Sequence, residues 1–150
     1  MTMLDTPYTN TLRILQASDE IKARLSGEFS AVHGISVNEF LMLLHLESAP
    51  KHRLARVELA KRLHVSASTV TRMAAPLEKI GLLAREIDER DARLSFVVLT
   101  EAAHTKVSEA KATLAKQAGY LFQDRWSEDE LEQLSRFLQR LLAGSLSTLA

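Results

Sequence analysis

The sequence contains no cysteine. Disulfides, thiolate redox sensing and cysteine-ligated zinc are therefore excluded. No apolar run approaches the roughly 20 residues that a bilayer span needs, and the first dozen residues lack the basic-then-apolar layout of a secretory signal, so a cytoplasmic location is expected. Catalytic signatures are missing too: there is no glycine-rich phosphate loop, no H-E-x-x-H, no nucleophile elbow and no possible cysteine nucleophile. The expectation is a protein that is not an enzyme and needs no cofactor. Net charge is also absent, because 19 Lys and Arg balance 19 Asp and Glu.

What is present is a chain of 150 residues with 46% hydrophobic content, enough for one domain with a real core. The charge that cancels overall is segregated along it. Lys51 to Arg93 hold ten Lys or Arg against six Asp or Glu, and the rest of the chain holds nine against thirteen. A basic middle between acidic ends points to a polyanion facing the middle.

The first seven residues read as a loose tail. Ile14, Ile21, Leu25 and Val32 then recur at helical spacing, an amphipathic stripe that something must cover. "ISVNEF" announces a second helix, to about Leu46, with Ser36 and Glu39 at capping-box spacing and Ile35 and Phe40 at the staple positions. "ESAPKHR" reads as a loop. A short helix from about Val57 to Leu63 follows, and "HVSAS" leads into a longer one from Ala67 to about Ile80 that ends at Gly81. Leu83 to Ile87 and Leu94 to Leu99 read as strands of a hairpin around "DERDAR". Thr100 is placed to cap a long helix with Glu101 in its first turn and Val107, Leu114, Ala118 and Leu121 on one face. Ser127 and Glu130 make a second capping box, with Trp126 and Leu131 as its staple, before a helix striped by Leu131, Leu134, Leu138 and Leu141. These terminal helices carry more apolar face than a central lobe of about 50 residues can cover, so pairing with a second copy as a homodimer is expected.

The middle reads as a helix-turn-helix. Leu59, Ala60 and Leu63 pack its first helix, Val65 plugs the turn, and Val70, Met73, Leu77 and Ile80 seat the second, with Ser66 as N-cap. Their spacing leaves Ser68, Thr69, Thr71, Arg72 and Lys79 on a free face. Hydroxyls and N–H groups at a helix start can meet phosphates, and an arginine one turn on can reach base edges, which makes Arg72 the candidate base contact. The hairpin is then a wing whose tip can enter the neighbouring minor groove, with Arg93 as probe and Asp91 as its brace. The bland alternatives are a solvated helix face and a hairpin whose charges blunt an exposed edge.

The segments "SASTVTR" at Ser66 to Arg72, "LEKIGL" at Leu77 to Leu82, Arg85, "DAR" at Asp91 to Arg93 and "VVLT" at Val97 to Thr100 stand in an order and spacing that resembles the winged-helix regulators of the multiple antibiotic resistance (MarR) family. No single motif is strong; the order is. The resemblance implies a mainly α fold with a small β-wing: a winged helix-turn-helix lobe at residues 36–100, flanked by dimerisation helices at 8–34 and 101–150, in one chain of residues 1–150. It implies a homodimer that binds a roughly palindromic double-stranded DNA operator, usually to repress transcription, through Ser68, Thr69, Thr71, Arg72, Asp91 and Arg93. It also implies a small effector held between dimerisation helices and DNA-binding lobe. Three positions depart from the pattern. His64 stands in the turn where glycine is common, a substitution histidine tolerates better than most; Ala103 replaces a frequent glycine; and Pro76 lies inside the recognition helix, where a kink or loosened turn is expected.

For the effector, a small aromatic or amphipathic acid in a crevice of the first, second and fifth helices is expected, with Arg13, His33, Phe40 and Leu44 as candidate ligand-binding residues. Phe29, Phe40 and Leu44 serve equally well as core. The five histidines are scattered, so no metal site is assigned; a metal-responsive regulator using His45 and His104 with Glu47 nearby is one alternative. A winged-helix interaction adaptor without specific DNA binding is the other.

Overall fold

The computed structural model describes residues 5–150. Its elements run α1 (Asp5–Glu28), a π-helical turn (Phe29–His33), α2 (Val37–Ser48), a single 3-10 turn (Pro50–His52), β1 (Arg53–Ala55), α3 (Arg56–Leu63), α4 (Ala67–Lys79), β2 (Leu83–Ile87), β3 (Ser95–Leu99), α5 (Glu101–Phe122) and α6 (Glu128–Leu141). The expected mainly α architecture with a small β-wing is the one observed. No single helix among the described residues is long and apolar enough to cross a membrane.

Helix boundaries follow local chemistry. Ser36 and Glu39 cap each other reciprocally at the start of α2, and Ser127 and Glu130 do the same for α6. Gly34, at φ 66°, closes the π-helical turn in the left-handed region, and its N–H donates to the Ser30 carbonyl at 3.1 Å. The loose tail expected over the first seven residues is corrected from Asp5 onward. Asp5 to Pro7 already belong to α1, where Pro7 occupies the first turn and its missing N–H forfeits nothing; residues 1–4 lie outside the described residues.

The core gathers on the second half of α1, α2, the helix-turn-helix and the start of α5. Phe29, Ile35, Phe40, Met42, Leu43, Leu59, Val70, Leu77 and Val107 are fully buried. At roughly 1.5–3 kcal/mol for each large apolar side chain removed from water, this cluster dominates the lobe's stability. Leu114, Ala118 and Leu121 on the later turns of α5 are only half-buried, and no residue of α6 is buried. The stripe on α1 is covered unevenly as well: Leu25 is buried while Ile14 and Val32 are exposed. Val32 is displaced because the π-helical turn inserts extra residues per turn and shifts the phase of the stripe.

Three further expectations are corrected. A strand was not expected in "ESAPKHR" and its successors, yet Arg53–Ala55 pairs with β3 and makes a three-stranded antiparallel sheet in the order β1-β3-β2, with Leu54 opposite Val97. Ile80 does not seat on the core; it is 60% exposed because α4 ends at Lys79 and the helical spacing no longer applies. The Thr100 side chain does not cap α5, since its hydroxyl donates to the Gly81 carbonyl at 2.6 Å and its N–H donates to the Leu82 carbonyl, tying the turn after α4 to the end of β3.

Candidate nucleic-acid interface

Two helices and a hairpin converge on one side of the lobe. The turn between α3 and α4 is made by His64, at φ 56° and ψ 40°, where a β-carbon is tolerated at some cost. Val65 N–H donates back to the Ala60 carbonyl at 3.0 Å, which closes α3 and aims the chain into α4. The turn has a partner that sequence reading missed. The Ser147 hydroxyl donates to the Arg62 carbonyl and hydrogen-bonds His64 Nε2 at 2.7 Å, so the segment after α6 lies across the turn.

Ser66 begins α4 as expected: its Oγ accepts from the Thr69 N–H at 3.1 Å. That Oγ also lies 3.0 Å from Ser68 Oγ and 2.8 Å from Thr69 Oγ1, so three hydroxyls cluster at the positive end of the helix dipole. Val70, Ala74 and Leu77 bury the opposite face and Met73 is half-buried. Arg72 and Lys79 are exposed, and Arg72 Nη2 donates to Thr69 Oγ1 at 3.1 Å. Thr71 differs from its neighbours, because it is half-buried, donates to the Ala67 carbonyl at 3.2 Å and receives Arg56 Nη1 at 3.0 Å. The helix runs through Pro76 without interruption; the proline sits in the last turn, where it removes only the bond to the Arg72 carbonyl.

The wing is braced by two aspartates. Asp88 accepts from the Arg90 and Asp91 N–H groups at 2.7 and 3.1 Å, while its own N–H donates to Leu94 across the loop. Asp91 Oδ1 accepts both the Arg93 N–H at 3.0 Å and Arg93 Nε at 3.2 Å. The guanidinium is thereby oriented by its neighbour and still 92% exposed. At the base of the wing Arg53 pairs with Glu86 at 3.0 Å and stacks on Phe96, with 4.5 Å to the ring centroid, and Arg85 pairs with Glu78 of α4 at 3.6 Å. Helix α4 and the wing are thus fastened to each other.

The candidate effector residues do not converge on one place. Arg13 and Phe40 line an apolar groove of about 530 Å³ between α1, α2 and α6, together with Trp126, Leu134 and Leu138. Leu44 lines a second groove, of about 450 Å³, where α2 meets α5, and Phe40 borders that one as well. His33 lines neither; it is buried against Phe29 and shares a 2.7 Å hydrogen bond with Thr113. The pairing of His45 with His104 that the metal-responsive alternative needs is not formed. His104 stands edge-on to His52 at 4.9 Å, and no cluster of three ligating side chains exists among the described residues. His45 is buried, its Nδ1 has no hydrogen-bond partner among the described residues, and burial, followed by the Arg62 charge, holds its pKa below the ordinary histidine value.

The chain resembles known proteins over this lobe and beyond it. Residues 35–95 match the model of the MarR family. The transcriptional repressor MprA of Escherichia coli (strain K12) is 35% identical over 111 residues, 70% of this chain and 61% of the relative, so the chain spans about three fifths of that relative's length. Sco3205, a MarR family transcriptional regulator from Streptomyces coelicolor solved in complex with DNA, superposes with a TM-score of 0.78 at 21% identity, covering 96% of this chain and 92% of that one. A mutant MarR from E. coli complexed with operator DNA gives a TM-score of 0.76 at 20% identity, with 95% and 99% covered. At these identities the two structures establish the fold.

Proposed function

Since the chain belongs to the MarR family, we propose that it is a transcriptional regulator that binds double-stranded DNA as a homodimer, with α4 in the major groove and the wing tip in the adjacent minor groove. The observation that carries this reading is the free face of α4: clustered hydroxyls at its start, then Arg72, hydrogen-bonded to a threonine and, among the described residues, to no carboxylate. Hydroxyls and N–H groups there suit phosphates, and Arg72 suits a guanine edge. Ser66, Ser68, Thr69, Arg72 and Lys79 form the major-groove set, and Asp91 with Arg93 the minor-groove set; Thr71, expected among the first, is half-buried and gives its hydroxyl proton to the Ala67 carbonyl. An adaptor without DNA binding has no use for an oriented, exposed arginine at the wing tip as well.

A second copy of the chain is the occupant of the terminal helices. Phe137, Leu138 and Leu141 of α6 and Leu12, Ile14 and Leu15 of α1 are exposed, Ile14 and Leu138 on the rim of the groove, and a two-fold dimer would cover such apolar faces with themselves. Such a dimer presents two α4 helices, hence a palindromic operator with half-sites about one helical turn, roughly 10 bp, apart. Occupying that site by default represses transcription. A small amphipathic anion in the groove, beside Arg13 and Lys22, would alter the spacing of the two lobes and so the affinity. A protein of this kind works where its DNA is, in the cytoplasm. Selection of genomic fragments by the purified protein at two salt concentrations tests the reading. Enrichment of a palindrome that falls steeply with salt supports it, and weak, sequence-blind retention points instead to an interaction adaptor.

A further inference from the structure

The arginines of the lobe fall into two groups. Arg53, Arg62, Arg85 and Arg93 each lie within ion-pair distance of a carboxylate: Glu86, Glu58, Glu78 and Asp91 respectively. Among the described residues Arg56, Arg72 and Arg90 have no such partner, and two of them are tied to α4 through threonine hydroxyls. Arg72 donates to Thr69 from within the helix, while Arg56 reaches across from the first residue of α3 to Thr71. The fold therefore places a second uncompensated guanidinium beside the residue expected to read bases, from a helix that the spacing of α4 does not reveal.

The hydrogen bonds at Thr71 say what that guanidinium is for. A hydroxyl has one proton to donate, and Thr71 gives it to the Ala67 carbonyl. Phosphate oxygens only accept. While these bonds hold, Thr71 has nothing to offer a phosphate, and the donors available at that point of the surface belong to Arg56. Its Nε is sealed from solvent without an acceptor and one Nη1 proton is engaged by Thr71. The residue is half-buried, and of its side-chain nitrogens Nε alone is sealed off without a partner among the described residues. A guanidinium fixed in this way, without a carboxylate to neutralise it, is matched by a phosphate that accepts from its outer N–H groups.

We propose that Arg56 contacts a DNA phosphate, anchored on α4 by Thr71 and flanking the base step that Arg72 reads. The inference rests on the function proposed above and deepens it: Thr71 positions Arg56, Arg56 neutralises one phosphate and sets the register of α4, and Arg72 carries the sequence preference. Equilibrium affinities for a selected duplex and a scrambled duplex, measured between about 50 and 200 mM salt, test it with wild type, Arg56→Gln, Arg56→Lys and Thr71→Val. Arg56→Gln is expected to bind both duplexes at least about tenfold more weakly, and its log affinity against log salt slope should fall by about 1.8, the signature of one phosphate lost by each of the two copies on the duplex. Arg56→Lys keeps the wild-type slope because it keeps the charge. Thr71→Val keeps the slope with a severalfold loss of affinity, because it removes only the anchor. A folded Arg56→Gln protein with the wild-type slope overturns the inference and leaves the DNA-binding reading intact; so does an equal loss of slope in Arg56→Lys, which would mark a structural role. A wild type that binds neither duplex in a salt-dependent way removes both.

Discussion

Replacing Ser66 separates what the start of α4 does for folding from what it does for binding. Ser66 Oγ accepts from the Thr69 N–H at 3.1 Å at an exposed site. Ser66→Ala removes that acceptor but leaves the N–H open to water, so the loss is that of an ordinary cap, about 1 kcal/mol. In a chain of this size that lowers Tm by about 2–4 °C. Ser66→Asp keeps an acceptor and adds negative charge at the positive end of the helix dipole, a favourable change of about 0.3–1 kcal/mol, so it should melt at or above wild type. Binding should change in the opposite sense. A carboxylate at roughly 6 Å from a phosphate is repelled by about 0.7–2.8 kcal/mol as the effective dielectric constant runs from about 80 to about 20, which is about 3- to 100-fold in affinity. The alanine variant should stay within a few fold of wild type. Melting at one fixed protomer concentration, with fluorescence anisotropy on a selected duplex at low salt, reads both effects. An aspartate variant that melts several degrees low refutes the capping argument. One that melts normally and binds as wild type does refutes the placement of this helix start against phosphates.

Arg72→Ala and Arg93→Ala should each weaken specific binding by about 1–3 kcal/mol in competition assays, Arg72→Ala with a changed sequence preference; unchanged binding in both contradicts the docking geometry. Leu134→Glu with Leu138→Glu, on the apolar face of α6, should reduce the mass seen by light scattering from two chains to one, and a persisting dimer would place the interface elsewhere. Stability should fall with acid through His45. Its folded-state pKa is lowered, so below about pH 6.5 the unfolded imidazole takes up a proton that the folded one refuses, and the folded state loses ground as pH drops; above that value the effect is absent. Urea midpoints measured from neutral to mildly acid pH should decline less in His45→Leu, and an identical decline in both proteins would remove His45 as the cause.

The helices and the free face of α4 were legible because their signals are local. Ser36 with Glu39, Ser127 with Glu130, and Ser66 each announce a helix start within four residues, and the capping bonds are formed where the spacing puts them. Asp91 and Arg93 are two residues apart, so their pairing at the wing tip was also within reach. What escaped is non-local. Strand β1 is three residues long, too short for an alternating pattern, and exists because Leu54 finds Val97 from forty residues away. Thr100 has the residue type and position of a cap, yet a carbonyl nineteen residues earlier is a better acceptor. Arg56 shares no helical face with Thr71, and Ser147 is separated from His64 by the second half of the lobe and by α5 and α6. Chain order places such residues far apart, and only packing brings them together.

Hydroxyl-radical footprinting of the protein on a selected duplex addresses the central claim, that two copies read one site through α4 and the wing. The account predicts two protected patches about one helical turn apart, related by the symmetry of the sequence, each extended into the flanking minor groove by the wing, and an extension that disappears in Arg93→Ala. A single protected patch, or protection that ignores the palindrome, would contradict it.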